Sequence, residues 1–171
     1  HAATAEAPLV LASVALAGFD LDEADGQLSR ARKAAEANGW AVLVAQARAG
    51  QGRLRLVRYL RRRDSLELTR ARADLAAAID FLEEGAVAWT EELDPGELYA
   101  LAAAACALGG NQKDALTTLS RGEQRVPVQN VVSRATLSLG RAFVEKRDFP
   151  SALAWFTRRR FARTTVLWTA L

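Results

Sequence analysis

Histidine is almost missing from this 171-residue chain: the one present is His1, at the very terminus. No internal imidazole is therefore at hand to act as general base, metal ligand or proton shuttle. Cysteine occurs once, at Cys106, so no intramolecular disulfide can form and a reducing, cytoplasmic setting is expected. Methionine is absent altogether, position 1 included, so the chain is expected to be cut from something longer or to have lost its start. The glycine signatures of nucleotide binding are missing as well. No G-x-G-x-x-G and no G-x-x-x-x-G-K-[ST] occurs, and Gly50-Gln51-Gly52 sits inside a helical pattern. No nucleophile elbow is present, and no serine has a histidine to activate it. The apolar run Pro8 to Phe19 has no basic region in front of it and is too short to span a bilayer. These gaps predict a protein with no catalytic residues, no metal, no cofactor and no membrane contact.

What the chain has in abundance is alanine, leucine, arginine and glutamate, all good helix formers. Apolar residues recur every three or four positions nearly throughout, and no segment alternates with period two for long. Helix ends are punctuated. Asn38-Gly39 closes one helix. Asp94-Pro95-Gly96-Glu97 opens another, with Asp as N-cap, Pro in the first turn and Glu three residues on. Gly109-Gly110-Asn111, Pro127 with Asn130, and Asp148 with Pro150 mark further breaks. The spacing predicts helices over 7–18, 22–37, 40–62, 65–84, 95–108, 112–125, 130–146 and 149–162. The expected fold class is all-α, a single domain over 1–171 made of four antiparallel hairpins at 7–37, 40–84, 95–127 and 130–162.

The hairpins share a pattern. Tyr99, Ala102, Ala103 and Cys106 precede a Gly-Gly-Asn turn, followed by Ala115, Leu119, Gly122 and Pro127. Leu139, Gly140 and Phe143 precede Arg147-Asp148, followed by Ala152 and Phe156. Leu11, Ala12 and Ala15 precede Phe19-Asp20, followed by Ala24, Leu28 and Ala31. Small residues at these places let paired helices approach closely. The order of small and large positions resembles the tetratricopeptide repeat, Leu139-Gly140-x-x-Phe143 with Ala152 and Phe156 being the nearest match. That resemblance implies a right-handed solenoid whose first helices line a concave, partner-binding side. The pair from Trp40 to Glu84 is longer than that unit. It looks like the helical repeats of large bacterial transcriptional activators of the maltose-regulator and LuxR type, which implies a regulatory role.

Charge adds two candidate surfaces. Arg48, Gln51, Arg55, Arg58 and Arg62 fall at intervals of three and four and share one helix face. On the helix over 130–146, Arg134, Leu137, Arg141 and Glu145 are expected to face away from an inward set of Leu139, Gly140 and Phe143. With Ala100, Ala104, Ala107 and Leu108 of the preceding hairpin they are expected to line a groove. Such surfaces suit a protein or peptide of acidic character, or a solvated face whose charges pair with acids of adjacent helices. A further cluster, Arg158, Arg159, Arg160 and Arg163, closes the last helix. Nucleic acid is not expected, because 20 acidic residues nearly cancel the 23 basic ones.

Other constellations are structural. The run Asp20-Leu21-Asp22-Glu23-Ala24-Asp25-Gly26 fails as a calcium loop because Ala24 and Ala31 stand where ligands are needed. Its carboxylates suit the N-terminus of a helix. Cys106 lies in an alanine run and is expected to pack as a small apolar residue. The apolar tail, Phe161 to Leu171 with Trp168, offers a surface for a second copy or for a following repeat. The resulting expectation is a non-enzymatic binding scaffold within a bacterial regulatory protein. The alternative is a small-molecule-sensing domain of a transcriptional regulator.

Overall fold

In a computed structural model the described residues are 3–17, 20–84 and 93–146. Among them are seven helices and no strand: α1 Ala3–Ala17, α2 Leu21–Ala37, α3 Ala41–Arg62, α4 Ser65–Glu83, α5 Pro95–Leu108, α6 Gln112–Arg125 and α7 Val131–Lys146. The eighth helix expected over 149–162, the arginine cluster at 158–163 and the apolar tail lie outside the described residues. The chain divides into two compact units, one carrying α1–α4 and the other α5–α7.

Capping residues set the boundaries. The Asp20 carboxylate accepts from the Glu23 N–H at 2.9 Å, and Asp64 from the Leu66 N–H at 2.9 Å. Asp94 accepts from the Gly96 and Glu97 N–H groups, and the Asn111 side chain from the Asp114 N–H. Each satisfies a backbone donor that the first helical turn leaves open. At the C-termini, Gly39 (φ 69°) and Gly110 (φ 82°) supply the left-handed residue that stops α2 and α5. Arg63 does the same after α3 with φ 57°, and its guanidinium lies 5.8 Å from the Tyr59 ring centroid. One boundary differs from expectation. α1 starts at Ala3, so Pro8 stands inside the helix rather than in its first turn. Tertiary packing accounts for the extra turn, since Ala5 is fully buried beside Ala35 and Val44.

In the first unit each helix packs antiparallel on its predecessor. Ala12, Leu16, Ala24, Leu28 and Leu54 form one apolar cluster, and Ala5, Ala35 and Val44 another. α3 is the central element: α2 and α4 both pack on it but not on each other. Two glycines make this possible. A Cβ at Gly50 would lie 2.6 Å from a Leu28 methyl of α2, and one at Gly52 would lie 2.6 Å from Leu75 Cγ of α4. Positions two apart on a helix point about 200° away from each other. The pair therefore thins α3 on two nearly opposite sides, one for each neighbour.

In the second unit α6 runs antiparallel to α5 and α7, around fully buried Tyr99, Leu119 and Leu137. α5 is apolar on every side, and Leu98 through Ala103 are all buried. A Cβ at Gly96 would fall 2.2 Å from the Ser133 carbonyl oxygen, and one at Gly140 would fall 2.9 Å from Ala100 Cβ. α5 and α7 thus lie against each other in parallel, almost backbone to backbone at one end. The Ser133 hydroxyl ties them together by donating to Asp94 at 2.6 Å.

Candidate functional site

The arginine stripe read from the sequence lies on the face of α3 between α2 and α4. Arg58 is held most completely. Its guanidinium donates to Asp25 and Asp22, each at 2.7 Å, and to the Leu21 carbonyl at 3.1 Å. Burial pulls this guanidinium down, but the hydrogen bonds and charges of Asp25 and Asp22, with Glu67 farther away, outweigh it and hold it above its ordinary value. Gln51, only 1% exposed, accepts from Arg32 at 3.0 Å and donates to Ser29 at 3.2 Å, both on α2. Arg55 donates to Asp74 of α4. Arg62 is exposed at the end of α3, beyond this cluster.

Asp74 is the buried centre, 4% exposed. Arg55 binds one of its oxygens and Arg48 lies 3.6 Å from the other. Burial pushes this carboxyl above its ordinary range, although Arg55, Arg48 and Arg32 pull it the other way; Asp25 adds to the upward push. Desolvation of the carboxylate thus exceeds what the arginines return, as happens when an ion pair is taken out of water.

Glu36 stands at the rim. One of its oxygens, Oε1, faces two guanidinium groups, at 3.6 Å from Arg32 Nε and 3.5 Å from Arg48 Nη2. Both separations exceed the 2.7–2.9 Å of a charge-assisted hydrogen bond. The Nε–H groups of Arg32 and Arg48 are buried with no hydrogen-bond acceptor among the described residues. Three guanidinium groups, Arg32, Arg48 and Arg55, therefore share two carboxylates, Asp74 and Glu36, one of them loosely.

The second expected surface is not what the structure presents. Leu137 is fully buried, and Ser133, Thr136, Gly140 and Val144 are buried beside it on α7. Leu139, expected inside, is half-buried, and the Phe143 side chain lies outside the described residues. Arg134 and Arg141, expected to line a groove, are both committed within the unit. Arg134 donates to the Glu123 carbonyl. Arg141 grips the Glu123 carboxylate through Nε at 2.9 Å and Nη2 at 2.7 Å, and reaches the Ser120 hydroxyl at 3.1 Å. The hydrogen bonds to Glu123 hold Arg141 above its ordinary value against the pull of burial, with the charges of Glu123 and Glu145 in support. Ala100 is buried against Gly140, while Ala104, Ala107 and Leu108 are half-buried. The physical reason is the all-round apolar character of α5, which draws a neighbour onto the side expected to stay open. Cys106, expected in the core, is only half-buried.

Three key residues lie outside the stripe read on α3. Asp74 carries a signal: it interrupts the apolar face Ala71, Leu75, Ala78 of α4, where an unpaired acid would be costly. Arg32 with Glu36 is an i,i+4 pair of opposite sign on α2.

The molecule also shows apolar side chains to solvent on α1, where Val10, Leu11 and Val14 are 64%, 51% and 56% exposed. Leu11 thereby departs from the packed position expected in the first hairpin. No described helix is long and apolar enough to cross a membrane, and no group of three or more metal-ligating side chains occurs among the described residues. No family model, no curated protein and no solved structure matches this chain.

Proposed function

We propose that this chain is a non-enzymatic helical scaffold of tetratricopeptide-like hairpins. It binds an acidic protein or peptide along the face of α3 that lies between α2 and α4. One observation carries the reading: among the described residues Arg32, Arg48 and Arg55 gather around two carboxylates, Asp74 and Glu36, and the outer one, Glu36, is 44% exposed and beyond hydrogen-bond distance. Arginine suits such a role, because its planar fork binds carboxylates in two-point fashion and keeps its charge at every working pH. In this reading the domain is the interaction arm of a larger bacterial regulatory protein, as its resemblance to regulator repeats implies.

A displayed library of random peptides, selected on the purified chain, tests this. Selected peptides should be rich in Asp and Glu and should slow hydrogen exchange in α2, α3 and α4. Arg48→Ala should weaken them by about ten-fold or more, the loss of one charge-assisted hydrogen bond. Selection without acidic enrichment, or binding indifferent to Arg48→Ala in a variant of native circular dichroism, contradicts the proposal.

A further inference from the structure

The Glu36 carboxylate is badly placed for a salt bridge and well placed for something else. It belongs to the last turn of α2, where the helix dipole disfavours a negative charge. It offers a single oxygen to two guanidinium groups and closes a hydrogen bond with neither Nε–H. Its neighbours behave differently. Asp25 and Asp74 bind Arg58 and Arg55 directly, and Asp74 is almost wholly buried.

We propose that Arg32 and Arg48 form an oxyanion subsite whose resident occupant is the chain's own Glu36, and that a carboxylate or phosphate of a partner displaces it. The volume for the incoming group exists already, being the place that one carboxylate fills. An oxyanion free of the α2 backbone can move about 0.7 Å closer than Glu36 does and reach both guanidinium groups at charge-assisted distance. Glu36 then swings into solvent, where it is already 44% exposed. Internal competition of this kind keeps weak anions out and admits only those that bind better than a tethered carboxylate. The chemistry of the subsite stands independently; assigning its occupant to an acidic partner rests on the partner-binding reading of the α3 face above.

The experiment follows the Nε–Hε resonances of arginine at low ionic strength, where screening is weak. Two probes are titrated separately, inorganic phosphate and a capped hexaglutamate peptide. Arg32 and Arg48 should shift saturably while Arg58 stays fixed. Glu36→Gln removes the competitor and should tighten binding by about two- to five-fold, the worth of one partly exposed ion pair. Arg48→Gln should abolish the response. A merely structural Glu36 would give no gain in affinity on its removal. Saturation by phosphate alone upholds the subsite and defeats the acidic-peptide reading; saturation by the peptide, with or without phosphate, upholds both. No saturable shift with either probe overturns the proposal, as does an affinity that Glu36→Gln leaves unchanged.

Discussion

Gly52 is where α3 and α4 touch, and alanine there tests the packing that positions the arginine stripe. The added Cβ would sit 2.6 Å from Leu75 Cγ, 2.9 Å from Leu75 Cδ2 and 3.3 Å from the Ala71 carbonyl oxygen. Leu75 is fully buried, so turning its Cγ away about χ1 would drive its methyls into the packed core instead. Reaching the ordinary contact distance of 3.4 Å requires the helices to part by about 0.8 Å. Overpacking of this kind costs about 1–3 kcal/mol. Against it stands the about 0.8–1.0 kcal/mol by which alanine exceeds glycine inside a helix. Gly52→Ala should therefore lower stability by up to about 2 kcal/mol. Gly26→Ala is the control in the same unit, because nothing lies within 4 Å of its Cβ. It should raise stability by up to about 1 kcal/mol. Urea unfolding followed by far-UV circular dichroism separates the two, since roughly 1–3 kcal/mol per molar urea places their midpoints about 1 M apart. In a Leu75→Ala background the penalty at position 52 should vanish. The reasoning is refuted if Gly52→Ala stabilises the wild type as much as Gly26→Ala does.

Asp74 makes a prediction about pH. Its carboxyl is raised in the folded protein, so it keeps a proton to higher pH than in the unfolded chain. The stability it contributes is complete below the unfolded value of 3.8 and is lost as pH rises through the folded one. The stability of wild type relative to Asp74→Asn, from urea titrations at several pH values, should shrink as pH rises; growth would mean that the arginines outweigh burial. Leu137 separates a core residue from a groove lining. Leu137→Ala should cost about 2–5 kcal/mol in thermal or urea unfolding, whereas an exposed position would give a change near zero.

Helix positions were legible because their signals are local. Asp94, Asn111 and the pair Asn38-Gly39 each cap a helix within a few residues of themselves, and all act as expected. The register of small residues was legible in part: Ala24, Leu28, Ala31, Ala115, Leu119 and Gly122 are all buried, but Leu11 is not. The face that α7 buries was hidden, because α5 is apolar all round and gives no direction from which a neighbour must come. The arginines were visible as a stripe, yet their acidic partners stand 12 to 36 residues away in sequence, so spacing could not say which acids they meet. Asp74 was the exception that composition hides and pattern reveals.

The two glycines that thin α3 on opposite sides have a consequence for redesign and for drift. A one-residue insertion upstream of them in this helix would turn both glycines and the arginine stripe by about 100°, driving side chains into α2 and α4 together. Whole-turn changes, or changes beyond the Arg63 stop, are the ones this helix can absorb. The length of α3 is thus tied to its packing between α2 and α4 more tightly than its composition is. A family built on it would vary in the connecting turns and hold this one helix to a fixed count.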